Sequence, residues 1–115
     1  MIVCRYEGDY ENDVKNGQGK YFYPNGDVYE GGWKDGVKHG FGVYKYKGDG
    51  GVYEGQWEKG LKQGNGKYTF GNGDLFEGLY ENNERHGEGF LRKKDGEKRE
   101  EQWKLGKLVS FNVVE

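Results

Sequence analysis

Along most of this chain, ring-bearing residues and glycines recur at alternate positions with charged residues between them. In Tyr29-Glu30-Gly31-Gly32-Trp33-Lys34, one parity carries Tyr, Gly and Trp and the other Glu, Gly and Lys. Residues two apart in a strand share a face, so the run predicts a strand with one aromatic, glycine-bearing face and one polar face. A second run follows, with Gly40, Gly42, Tyr44 and Tyr46 on one parity and Phe41, Val43 and Lys45 on the other. Between such runs stand Asp35-Gly36, Lys59-Gly60, Asn82-Asn83 and Leu105-Gly106. Gly adopts positive φ freely and Asn tolerates it best among the rest. Each pair of runs therefore predicts a β-hairpin.

The hairpins repeat. Aligned on Tyr6, Tyr29, Tyr53, Phe76 and Arg99, the chain has successive spacings of 23, 24, 23 and 23 residues. An acidic residue follows each anchor (Glu7, Glu30, Glu54, Glu77, Glu100), and four residues after the anchor come Tyr10, Trp33, Trp57, Tyr80 and Trp103. The second strand opens with Gly17/Gly19, Gly40/Gly42, Gly64/Gly66 and Gly87/Gly89, and rings follow at Tyr21/Tyr23, Tyr44/Tyr46 and Tyr68/Phe70. Fifteen of the nineteen rings occupy four repeat positions, the exceptions being Phe22, Phe41, Phe90 and Phe111. Glycine- and Asp/Asn-rich junctions such as Pro24-Asn25-Gly26-Asp27 and Gly71-Asn72-Gly73-Asp74 join the units into a meander. The fifth unit keeps its first strand and turn but loses both glycines of the second, reading Val109-Ser110-Phe111-Asn112-Val113-Val114. It reads as a terminal cap, where one side of a stacked unit has no neighbour.

The segments YEGGWKDGVKHGFG (Tyr29 to Gly42) and YEGQWEKGLKQGNG (Tyr53 to Gly66) resemble the MORN repeat, roughly Y-x-G-x-W-x-x-G-x-x-H-G-x-G, and the likeness runs from Tyr6 to Lys107. The expected fold is all-β: a single-layer antiparallel β-meander of about five stacked hairpin repeats forming a twisted, elongated trough. It is expected as one domain over residues 1–115, with repeats at about 6–28, 29–52, 53–75 and 76–98 and a partial capping repeat at 99–115. Ten strands at about 4.8 Å predict a ribbon roughly 45–50 Å long. The resemblance implies that the aromatic side is the concave one.

Composition supports a thin architecture. Hydrophobic residues make up 32% and charged residues 33% of the 115, with 23 glycines. Such a balance usually accompanies disorder, but ten Tyr, six Phe and three Trp supply burial through rings. Eighteen basic against twenty acidic residues give a net charge of −2. That disfavours nucleic acid, including single strands stacked on the rings, and a membrane lipid partner held by bulk charge. Lys34, Lys38, Lys45 and Lys47 form one local basic concentration. The single Cys4 forms no internal disulfide and reads as an ordinary thiol in a reducing, cytoplasmic setting. No apolar run approaches the roughly 18 residues that span a bilayer. The opening Met1-Ile2-Val3-Cys4-Arg5 matches neither a signal peptide nor an N-myristoylation site.

Candidate chemistry is sparse. His39 and His86 share a slot that holds Asn16 and Gln63 in other units, so a local hydrogen bond explains them better than metal binding or proton transfer. No Gly-x-Gly pair extends to G-x-G-x-x-G and no G-K-[ST] occurs. The repeated Glu lies opposite the rings, where pairing with Lys suffices. No catalytic, cofactor-binding or metal site is expected, and the chain does not read as an enzyme. The aromatic stripe is the functional candidate, because a single layer leaves an apolar face that suits a protein contact. Tyr29, Trp33, Tyr44, Tyr53, Trp57, Tyr68 and Tyr80 are its expected partner-binding residues, receiving a helix or an extended segment. The end strands, at Ile2-Val3 and at 109–114, are candidates for edge-to-edge homo- or hetero-assembly. The resemblance implies a protein–protein scaffold in a cytoskeletal assembly such as a ciliary or flagellar axoneme and its radial spokes. The alternative is a module for phosphoinositides or membrane surfaces.

Overall fold

The structure, a computed structural model, describes residues 5–114; Cys4 and the expected edge at Ile2-Val3 lie outside that range. Five hairpins follow one another. They are β1 (Arg5–Glu11) with β2 (Val14–Phe22), then β3 (Val28–Lys34) with β4 (Val37–Lys45). Next come β5 (Val52–Glu58) with β6 (Leu61–Thr69) and β7 (Leu75–Glu81) with β8 (Glu84–Arg92). The last is β9 (Lys98–Lys104) with β10 (Lys107–Val114). The ten strands form one antiparallel sheet in sequence order. The body measures 51 × 27 × 18 Å, and its long dimension matches the strand count multiplied by the interstrand spacing.

Turn chemistry sets each hairpin. Asp35 and Gly36 have φ of 51° and 85°, and Asn82 and Asn83 have 49° and 74°. Positive φ at both central residues is the type I′ signature, whose twist matches that of paired strands. Lys59 and Leu105 take the same conformation at 53° and 49° without the help of Gly or Asn. The first-unit turn, Asn12-Asp13, joins the series at 53° and 65°.

Within each of the first four hairpins the register slips. Gly31 faces Gly42 but Trp33 faces Lys38, so the second strand carries two extra residues. The slip sits at the first glycine of each Gly-x-Gly pair, where Gly40 has φ 77°. Two residues is one full period of the strand, so face alternation survives the bulge. The fifth hairpin differs: Trp103 faces Leu108 and Gln102 faces Ser110, a slip of one residue. Phe111 consequently opposes Glu101 and shares the face of the rings, although it stands off the repeat positions.

The core is that single face. Tyr29, Tyr53 and Phe76 are fully buried, and Trp33, Trp57 and Tyr80 nearly so. Burial without a second layer is possible because the rings lie flat over bare backbone: a Cβ added at Gly42 would overlap the Tyr29 ring, and one at Gly89 would overlap Phe76. Trp indoles reach across to the preceding unit, Trp33 Nε1 donating to the Gly19 carbonyl at 3.1 Å. The opposite face carries cross-strand charge alternation, with Lys20 between Glu7 and Glu30 and Lys67 between Glu54 and Glu77.

Candidate functional site

Two rows of rings run the length of the aromatic face. The first alternates anchor and +4 residues: Tyr6 between Tyr10 and Trp33, Tyr29 between Trp33 and Trp57, Tyr53 between Trp57 and Tyr80, and Phe76 between Tyr80 and Trp103. Every contact in it is edge-to-face, with centroids 5.0–6.2 Å apart. In that geometry the positive ring edge meets the negative ring face. Anchor hydroxyls turn back onto the backbone, Tyr29 Oη donating to the Gly32 carbonyl at 2.9 Å and Tyr53 Oη to that of Gln56 at 3.1 Å.

The second row comes from the even-numbered strands and the junctions after them. Tyr21, Tyr23, Tyr44, Tyr46, Tyr68 and Phe70 follow one another at 4.5–5.8 Å with tilted planes. These rings are only half-buried.

A ladder of cations is threaded between the rows. The ninth residue after each anchor is Lys15, Lys38, Lys62 and Arg85, and all four project among rings. Lys38 Nζ lies 4.9 Å from the Trp57 ring centroid, Lys62 Nζ 4.8 Å from Tyr53, and the Arg85 guanidinium 4.2 Å from Phe76. The ammonium groups also donate to the second row, Lys38 to Tyr23 Oη at 2.9 Å and Lys62 to Tyr46 Oη at 2.6 Å. Ring faces attract such cations, most strongly where water is excluded.

The burial is legible in the acidities. Desolvation, reinforced by the positive charges of Arg85 and Lys38, pulls Lys62 down to about 8. Burial also lowers Lys38 and raises Tyr29, Tyr44, Tyr46 and Tyr53 well above the ordinary phenol value. Asp27 is a fixed acid of this face. Burial pushes its carboxyl up, but the N–H of Lys47, the hydroxyl of Tyr44 at 2.8 Å and Asn25 together hold it below the usual carboxylate range.

The seven residues expected to meet a partner divide between the rows. Tyr29, Trp33, Tyr53, Trp57 and Tyr80 lie in the buried row, and Tyr44 and Tyr68 in the half-exposed one. Tyr23, Tyr46 and Phe70, which sequence reasoning put on the ring face but not among the partner contacts, complete the accessible surface together with the four cations, which it did not place there. Their signals were present: the ninth position after the anchor is basic in every full unit. The basic concentration at Lys34, Lys38, Lys45 and Lys47 is not one patch. Lys38 lies among the rings, while strand alternation puts Lys34 and Lys45 on the opposite face.

Side chains of the histidine slot lie against hairpin ends in three of the four units. Gln63 Oε1 accepts from the N–H of Asn82 in the next unit, Asn16 donates to Glu11, and His86 Nε2 lies 3.5 Å from Glu81. Among the described residues no group of three or more His, Cys, Asp or Glu is placed to hold a metal ion. Among the described residues no helix is long and apolar enough to cross a membrane.

None of the curated proteins compared with the chain matches it. Among known families it matches the MORN repeat four times, at residues 6–28, 29–50, 53–75 and 76–98. Apart from Lys98, the hairpin β9–β10 lies beyond the last match. That family is a non-enzymatic repeat, used generally for contacts with proteins and membranes. With a hairpin for each match and the sheet continuous through all four, the chain belongs to the MORN-repeat family.

Proposed function

We propose that this protein is a non-catalytic interaction scaffold that receives a partner segment along the half-exposed ring row. One observation carries the reading: Tyr23, Tyr44, Tyr46, Tyr68 and Phe70 form an unbroken aromatic strip, and among the described residues no second layer lies over it. Tyr suits such a surface, having a large area, few rotors and a polar tip. The buried row, with Tyr29, Trp33, Tyr53, Trp57 and Tyr80, is the rigid floor, and Tyr44 and Tyr68 are direct contacts. A helix or an extended segment lies along the strip. A cytoskeletal role, cytoplasmic and ciliary or axonemal in setting, is the assembly that the family resemblance favours.

The test is retention of protein from native extract by the wild type beside a Tyr46→Ser/Tyr68→Ser variant whose circular dichroism is unchanged. The proposal expects a discrete set of proteins held by the wild type and released by the variant. Equal retention by both contradicts it. Sedimentation of both with phosphoinositide vesicles at physiological salt, with no protein retained, favours the membrane alternative.

A further inference from the structure

An amine is a nucleophile only without its extra proton, and proteins arrange this by desolvating a lysine or by setting it beside other cations. Both conditions meet at Lys62. Its Nζ lies 4.8 Å from the ring centroid of Tyr53, 5.2 Å from Tyr46 and 5.8 Å from Tyr68 and Tyr80. Rings thus stand where water would otherwise solvate the charge. The hydrogen bond of the amine goes to Tyr46 Oη, a neutral acceptor.

No carboxylate answers this charge. Among the described residues the ion pairs are Arg5 with Glu7, Arg99 with Glu97 and His86 with Glu81, all away from the ladder. Two acids stand at the rim of the ring row, and both are engaged there. Asp27 accepts from the N–H of Lys47 and the hydroxyl of Tyr44, and Asp49 from the N–H of Gly51 and the hydroxyl of Tyr68. The neighbouring rungs are Lys38 and Arg85, whose charges add to the effect of burial and hold the amine at about 8.

Near pH 7.4 such an amine is roughly one-fifth neutral, against about one part in a thousand for a solvated lysine. A less basic amine attacks less readily once neutral, by the trade-off that governs thiols, and the net gain is on the order of tenfold. The nitrogen is also within reach of solvent species: Lys62 is only half-buried, and among the described residues no second layer lies over this face. Two further cations beside it favour a reagent that carries negative charge.

We propose that Lys62 is a modification site that takes an acyl group directly from acyl phosphates. The neutral Nζ attacks the carbonyl carbon and forms the amide C–N bond. The C–O bond to phosphate breaks, phosphate leaves with the electron pair, and the nitrogen gives up one proton to solvent. Nothing is oxidised or reduced. The product is uncharged, so the ladder loses its charge between Lys38 and Arg85, in the surface where Tyr46 and Tyr68 stand. The chemistry needs no partner on the ring row, so it holds or fails independently of the scaffold reading.

Acetyl phosphate added to the full chain near pH 7.4 tests this, with each lysine followed over time by peptide mass spectrometry. Lys62 is expected to react on the order of tenfold faster than Lys34 and Lys45, exposed on the opposite face, with Lys38 second because burial lowers it too. Its rate should reach half of its plateau near pH 8, where the rates of Lys34 and Lys45 are still climbing. In concentrated guanidinium chloride the preference should vanish, since it comes from the fold. Para-nitrophenyl acetate, a neutral donor, should favour Lys62 less than acetyl phosphate does. Lys62 reacting no faster than Lys34 and Lys45 in the folded chain overturns the proposal, as does a preference that survives denaturation. An equal preference with the neutral donor overturns the assignment to acyl phosphates.

Discussion

Lys38 and Trp57 stand in different units, yet the ammonium of one lies 4.9 Å from the ring centroid of the other. The same Nζ donates back to Tyr23 in the preceding unit. One side chain thereby joins three successive hairpins, and Lys62 repeats the arrangement one unit on, reaching Tyr46 and Tyr80. A single-layer sheet has no opposing layer to exclude water from its core. Here long cationic side chains lie over the rings and do part of that work.

Removal of such a cation should therefore destabilise the fold, although surface lysines are usually neutral. Lys62→Ala is expected to lose about 1–3 kcal/mol in urea unfolding through lost packing of its stem over the rings. Lys62→Met keeps the apolar stem and drops a charge that burial penalises, so near pH 7 it should be neutral or stabilising. An Ala variant as stable as the wild type would show that the ladder is ornamental.

Stability should have an unusual pH profile. Lys62 has its folded pKa lowered to about 8 from 10.5, so above pH 8 the unfolded chain binds a proton that the folded one does not. Stability then rises with pH through the window from about 8 to 10.5. Tyr29, Tyr44, Tyr46 and Tyr53 are raised, so above pH 10 the unfolded chain loses protons that the folded one keeps, and stability falls. A maximum near pH 10 is expected in urea midpoints measured from pH 7 to 11.5, with the rise flattened by Lys62→Met. A monotonic fall from pH 8 contradicts the assignment.

Glycine positions should separate by what covers them. Gly42→Ala places a methyl group in the buried Tyr29 ring and should lose about 1–3 kcal/mol or more. Gly48→Ala meets nothing within 4 Å and carries no positive φ, so it should be neutral or gain up to about 1 kcal/mol. Similar losses at both sites would mean that the glycines act through chain entropy and not through close approach.

The two ring rows should likewise respond differently. Trp57→Ala removes a nearly buried indole and is expected to lose about 3–5 kcal/mol. Tyr46→Phe removes only the acceptor of the Lys62 ammonium and should lose about 0.5–1.5 kcal/mol. Equal losses would refute the division into floor and surface. The Trp57 result also determines which variants can probe binding, since a core indole cannot report on a partner.

Much of this architecture could be read from alternation alone. The Tyr-x-Gly-x-Trp strand and its turn predict a hairpin, and parity places Tyr29, Gly31 and Trp33 on one face, as the structure has it. Parity survived the bulges only because each inserts two residues. Where β10 inserts one, Phe111 moves onto the ring face, and no local pattern announces that. The cations were hidden for another reason. A Lys in a strand normally signals solvent, so Lys38 and Lys62 read as surface until the +9 recurrence is set beside the strand register. The depth of each ring was not legible either: Tyr29 and Tyr53 carry the sequence signature of an interface residue and lie fully buried.

The central claim is that a partner covers the half-exposed ring row, and a photo-crosslinking amino acid tests it most directly. It would be placed singly at Tyr46 on that row and at Glu54 on the opposite face, and irradiated in native extract. The account predicts one discrete protein adduct from Tyr46 and none from Glu54. An adduct to another protein from Glu54, with Tyr46 silent, would move the binding surface to the charged face and contradict the account.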